Sequence, residues 1–209
     1  MNRHILILFI ILSSTAVKAQ STYGVQVGAD YDTPVGSWAH TYKPVVAYHA
    51  DFLWFADENT KTINFTVGYN TFKPKADTLY FLTKEGEDYG YIVNSDYETY
   101  TAYVGWMRNF SLTETFKVGL GFNFGAYFSH YTTSGTAGSS DMGDINAYLA
   151  AKTGVLFDLS NRLQLNVQAK YNGFTPTGKN DPTMPVFNDS RLGTVNYTWA
   201  AGLALAYKF

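Results

Sequence analysis

A chain of 209 residues that is 46% hydrophobic, 17% aromatic, 15% charged and free of cysteine excludes several classes at once. Its length suits one domain plus a targeting segment, and a formal net charge of −2 offers no basic field for nucleic acid. Without Cys there are no disulfides, thiolate metal sites or cysteine nucleophiles. Charge falls short of the roughly 25% of soluble domains, yet mean hydropathy is slightly negative.

Arg3 and His4 precede an apolar run from Ile5 to Leu12, and the segment closes on Val17-Lys18-Ala19. A charged start, a short apolar middle and small residues flanking the cut predict a cleavable signal peptide over residues 1–19. The run is too short to cross a hydrocarbon layer of roughly 30 Å as a helix. No later stretch approaches the roughly 18 apolar residues of a spanning helix. Residues 20–209 are expected to form one exported domain.

From Tyr23 onward apolar and polar residues alternate with period two, the signature of strands with two unlike faces. Eight strands are read, at 22–31, 45–56, 62–73, 98–108, 116–132, 145–158, 162–173 and 194–209. The fifth carries Phe116, Val118, Leu120, Phe122, Phe124, Ala126 and Phe128 on one face. The last carries Val195, Tyr197, Trp199, Ala201, Leu203, Leu205, Tyr207 and Phe209. Short polar links alternate with long connections at 32–44, 74–97, 133–144 and 174–193. Within the second long connection, Thr78–Thr83 and Tyr89–Val93 predict an extra hairpin. This is an all-β, antiparallel, up-and-down meander with both termini on the short-turn rim, the arrangement of a transmembrane barrel.

A lipocalin shares this strand plan with its apolar face inward. The polar face decides against it. It carries Gly24, Gln26 and Gly28; Asn64, Thr66, Gly68 and Asn70; Gly119, Gly121, Asn123 and Gly125; and Gln164, Asn166, Gln168, Lys170 and Asn172. Glycine weakens a water-facing strand but relieves crowding inside a narrow barrel. The apolar sets hold no charged residue, as a lipid-facing surface requires. Trp54, Trp106, Phe157, Tyr207 and Phe209 near the short-turn rim, and Tyr31, Tyr69, Tyr100, Phe128 and Tyr171 near the other, are expected as interfacial girdles.

The signal segment, alternating strands, long loops and terminal aromatic resemble the small bacterial outer-membrane β-barrel families, with OmpX and the OmpA transmembrane domain the match in size. Leu203, Leu205, Tyr207 and Phe209 look like the signal read by the barrel-assembly machinery. The resemblance implies the outer membrane of a Gram-negative-type cell, both termini periplasmic, with lipids and lipopolysaccharide as surroundings. No periplasmic peptidoglycan-binding domain of the OmpA kind is expected after Phe209. It does not specify a task, because one barrel form carries many functions.

Charge on the inward face is sparse: His49, Asp51, Lys117, Lys152 and Lys170, with Asp30 and Lys208 toward the rims. Buried charge requires pairing, so Asp51 facing lysines is expected as part of a network filling the lumen. A narrow path for ions or small solutes is the second reading. A lipid-modifying enzyme is the third, with Ser129 and His130 as its best residues. Alternation sends those two to opposite faces, and no carboxylate is assigned to them, so no catalytic residue is expected. No cofactor and no metal ligand are assigned. Loop acids such as Glu85, Glu87, Asp88, Asp141 and Asp144 read as solvated, with divalent-cation binding as the alternative. Leu79, Tyr80, Phe81 and Leu82 are bulky residues in an external connection, an expected contact surface for an envelope protein. Trp38, Met184, Val186 and Phe187 are expected to join that surface. The overall expectation is a structural or interaction role exercised through the external loops.

Overall fold

Segments that alternate β-branched and aromatic residues with small polar ones pleat into two-faced strands, and in the computed structural model these pair into one antiparallel sheet. The structure describes residues 22–36, 38–39, 42–57, 60–75, 78–82, 88–92, 96–135, 138–176 and 196–209. For 78–82, 88–92, 131–135, 138–142, 144, 175 and 176 it describes the backbone alone. Residues 1–19, the expected signal peptide, lie outside the described residues.

The strands are β1 (Thr22–Val35), β2 (Val45–Ala56), β3 (Lys61–Phe72), β4 (Thr78–Leu82), β5 (Asp88–Ile92), β6 (Tyr97–Ser111), β7 (Phe116–Gly135), β8 (Gly138–Asp158), β9 (Leu163–Pro176) and β10 (Asn196–Lys208). β1, β2, β3, β6, β7, β8, β9 and β10 pair in succession, and β1 closes on β10 from Gly24↔Lys208 to Val35↔Tyr197. The eight-stranded antiparallel barrel is therefore closed, as backbone satisfaction in lipid demands. The extra hairpin is also present: β4 and β5 pair from Thr78↔Ile92 to Leu82↔Asp88, and Ile92 meets Ser134 of β7.

Following direct neighbours around the wall gives the barrel's stagger. The path Tyr23, Trp54, Ile63, Trp106, Phe122, Ala151, Tyr171, Trp199 returns to β1 at Thr33, ten residues above its start. With eight strands this shear sets a tilt of about 40° and a backbone radius of about 8 Å. Such an interior has room for side chains and little else.

Faces follow the alternation. Val27 is 63% exposed, Phe124 63% and Leu203 56%, whereas the inward Thr66 and Asn123 are 2% and 1% exposed. Tyr48, Tyr69, Tyr100 and Phe128 are successive cross-strand neighbours, a row of aromatics toward the long-loop rim. Near the short-turn rim Trp106 lies 5.8 Å from Phe122, and Phe116 lies 5.0 Å from Phe157.

Three expectations need correction. The connection expected at 133–144 is mostly strand, because β7 and β8 keep pairing to Gly135↔Gly138. The Tyr131-Thr132-Thr133 run favours extended backbone, and the ladder satisfies its polar groups above the lipid. Asp141 and Asp144 thus belong to the β8 backbone. β1 runs on to Val35, carrying Asp32 into the wall, where it pairs with Ala200. Trp38 lies inside the mouth, 2% exposed, and does not join an external surface. Met184, Val186 and Phe187 lie outside the described residues.

Candidate functional site within the barrel lumen

Strand tilt brings inward residues from distant strands to one level, and there they form a continuous hydrogen-bonded chain. Lys152 Nζ donates to Asn64 Oδ1 at 2.6 Å, and Asn64 Nδ2 donates to Thr66 Oγ1 at 2.7 Å. The Thr66 hydroxyl donates in turn to Asp51 Oδ1. The other oxygen of Asp51 accepts from Gln26 Nε2 at 2.7 Å and from His49 Nδ1 at 2.9 Å. Gln168 Nε2 then bridges His49 Nε2 at 3.0 Å and Asp30 Oδ1 at 2.9 Å, and Lys170 Nζ completes the chain 2.5 Å from Asp30 Oδ2. Each charge along this chain is thereby met by a polar partner, the condition for keeping it in a low-dielectric interior.

The expected residues separate into two groups. His49, Asp51, Lys152 and Lys170 share this chain. Asp51 reaches Lys152 only through Thr66 and Asn64, because small polar side chains occupy the space between the two strands. Lys117 stands apart at the short-turn rim, 3.0 Å from Asp158, which also pairs with Lys208 at 2.7 Å and accepts from Gln164 at 2.8 Å. Asp30, expected near a rim, joins the chain through Gln168 and Lys170, since β1 continues past it for five more residues.

A second layer lies above the polar one, toward the long-loop rim. Trp38 packs on Phe72 with centroids 4.8 Å apart, on Phe174 at 5.7 Å, and on Tyr42 and Tyr97 at 5.8 Å each. Tyr127 meets Phe174 at 4.2 Å, and Tyr148 meets Tyr103 at 4.9 Å. The chain turns inward at Gly36, whose φ of +65° belongs to the left-handed region that glycine occupies freely. Tyr42 N donating to Trp38 O at 3.0 Å and Lys43 N to Lys73 O at 2.8 Å hold the folded-in segment. Sequence reasoning missed this plug. The signal was present in Tyr103, Tyr127 and Tyr148, aromatics on the otherwise polar face of their strands.

Cavities of about 30 Å³ and 40 Å³ remain, the first beside Gln26, Asp51 and Lys152, the second between the polar chain and the aromatic layer. The wall also carries Ser129, 5% exposed, while its neighbour His130 faces outward. Leu203, Leu205, Tyr207 and Phe209 all point outward, 41–56% exposed. The side chains of Leu79, Tyr80, Phe81 and Leu82 lie outside the described residues, though their backbone forms β4.

No protein-family model matches the sequence, and no curated protein matches it. In fold the chain is similar to Neisserial surface protein A, with TM-score 0.62 and 14% identity over 91% of this chain and 100% of that one. It is also similar to a major outer membrane protein from Thermus thermophilus, at TM-score 0.56 and 14% identity over 91% and 100% of the two chains. The attachment invasion locus protein Ail of Yersinia pestis, solved with the heparin analogue sucrose octasulfate, is similar at TM-score 0.52 and 13% identity over 91% and 100%.

Proposed function

The chain has the fold of the small eight-stranded outer-membrane barrels, and from that premise we propose a closed barrel in the outer membrane of a Gram-negative-type cell, with both termini periplasmic. Its role is structural or interaction-based and is exercised by the parts that rise above the lipid. One observation carries this reading: the lumen is filled twice over, by the Lys152-to-Lys170 polar chain and by the Trp38 aromatic layer. Within a wall of about 8 Å radius, those layers occupy the interior that a bore would need. The external sheet made by β4, β5 and the upper parts of β7 and β8 is the surface offered to an envelope or extracellular protein, with Leu79, Tyr80, Phe81 and Leu82 as its contact residues. Lipids and lipopolysaccharide surround the apolar wall, and Leu203, Leu205, Tyr207 and Phe209 present the assembly signal.

Planar-bilayer recording tests the closed lumen: purified barrel should give no reproducible single-channel steps, and regular steps would overturn the reading. Tyr80→Ser with Leu82→Ser tests the surface. The pair should reduce co-purification of an envelope partner in mild detergent and leave heat-modifiable gel migration unchanged.

A further inference from the structure

On the outer face near the short-turn rim, two cations stand side by side. Lys61 opens β3 and Arg108 lies directly opposite it on β6, a pairing extended by Asn109 N, which donates to Thr60 O at 2.7 Å. Both side chains are exposed, one pleat below Ile63 and Trp106 on the outward face. Like charges directly opposite each other destabilise a strand pair. One carboxylate answers them, Asp57, which lies 2.5 Å from Lys61 Nζ. Arg108 holds its guanidinium 5.4 Å from the centroid of the Phe110 ring and makes no ion pair among the described residues. Two cations and one carboxylate leave one positive charge over at this spot, beside the Trp54 and Trp106 aromatic row.

Above that pair the β3–β6 seam leads into an apolar groove. From Lys61↔Arg108 the outward neighbours run Ile63↔Trp106, Phe65↔Val104 and Val67↔Ala102. The groove has a volume of about 760 Å³ and lies where Ala50 and Ala102 leave space beside the larger Phe52, Phe65 and Phe124. Tyr69 and Tyr100, with ring centroids 5.1 Å apart, bound it toward the long-loop rim. Lys61 and Val67 are about 20 Å apart along the strand. At a tilt of about 40° that is a rise of about 15 Å, half of a hydrocarbon layer of roughly 30 Å. Cations and groove are thus separated by the depth of one leaflet.

We propose that the β3–β6 seam is a binding site for one anionic phospholipid of the leaflet at the short-turn rim. Its phosphate lies between Lys61 and Arg108, and one acyl chain follows the seam into the groove at Ala102. A phosphodiester carries a single negative charge, which balances the surplus, and the Arg108 guanidinium offers paired N–H donors to its oxygen atoms. A zwitterionic lipid brings its own cation to a place that already holds two, so the site favours a headgroup without one. The bound lipid relieves the repulsion between Lys61 and Arg108 and fills the groove. This inference rests on the reading that the barrel stands in a bilayer with its short-turn rim periplasmic.

The test is native mass spectrometry of the refolded full chain, released from micelles that hold equal amounts of phosphatidylglycerol and phosphatidylcholine. Phosphatidylglycerol should be retained about fivefold over phosphatidylcholine, the factor that one uncompensated cation gives at a membrane surface. Arg108→Gln should abolish the preference, and Ala102→Phe should lower retained phosphatidylglycerol severalfold with both cations in place. Arg162→Gln removes another cation of the same rim, one whose guanidinium meets Tyr207 OH at 3.2 Å, and should change nothing. Lys61→Gln and Ala50→Phe stand in for either variant that does not fold. Equal retention of the two lipids by folded wild type overturns the proposal, as does an unchanged preference in Arg108→Gln or unchanged retention in Ala102→Phe. An equal loss in Arg162→Gln also overturns it, because the preference then comes from the charge of the whole rim. Heat-modifiable migration reports the barrel separately: wild type without a folded form removes the bilayer reading, whereas a folded barrel without lipid preference removes this site alone.

Discussion

Asp30 on β1 reaches Lys170 on β9 across the intervening strand β10, with Oδ2 and Nζ 2.5 Å apart. The β10 residue beside Asp30 is Gly202, which also neighbours Gln168. A Cβ at that position would strike Asp30 Oδ1 and stand 2.7 Å from the Asp30 Cα. The central ion pair of the lumen exists because the strand between its partners carries no side chain.

Gly202→Val is therefore expected to destabilise the barrel by more than Gly202→Ala, each change by about 1–3 kcal/mol or above from overpacking. Urea unfolding of refolded protein in micelles, followed by tryptophan fluorescence, gives both values.

Removing one member of the pair should cost more than removing both. Lys170→Met leaves Asp30 buried without its cation, a loss of about 3–5 kcal/mol. Adding Asp30→Asn to Lys170→Met should recover much of it, which the same unfolding measurement reports as a double-mutant cycle.

Trp38 touches Tyr42, Phe72, Tyr97 and Phe174, so Trp38→Ala opens a hole in the aromatic layer. A loss of about 3–5 kcal/mol is expected. Conductance in planar bilayers should stay at background, since the polar chain below still fills the barrel.

Ser129 faces the interior and His130 the outside, a geometry that denies the pair a shared proton. Ser129→Ala and His130→Ala should each leave the lipid A acylation pattern of producing cells unchanged, as mass spectrometry of extracted lipid will report.

Phe209 is 50% exposed, and its backbone N donates to Tyr23 O at 2.9 Å, at the seam where β10 meets β1. Deleting Phe209 should lower the amount of barrel recovered from outer membranes severalfold. Refolding of the purified variant into detergent should remain efficient, which separates recognition by the assembly machinery from stability.

The strand positions, the inward and outward faces and the extra hairpin were legible in sequence, because each depends on a two-residue period or on neighbouring turns. Where boundaries differ, as for Asp32–Val35 and the β7–β8 extension, Pro, Gly and Ser read as loop while pairing with a neighbouring strand kept the backbone extended. The inward position of His49, Asp51, Lys152 and Lys170 was likewise readable from alternation. Their partners were not. Asp30 looked marginal until the length of β1 was known, and Trp38 has no alternating context to reveal that it turns inward.

By itself the sequence determined which solvent each face meets, since lipid and a closed interior impose opposite demands on adjacent residues. Only the tertiary structure decided which inward residues meet. That depends on the ten-residue stagger at closure, which brings Asp30 beside Gln168 and Lys170. Closure is a property of the whole ring of strands, and no local window of residues encodes it.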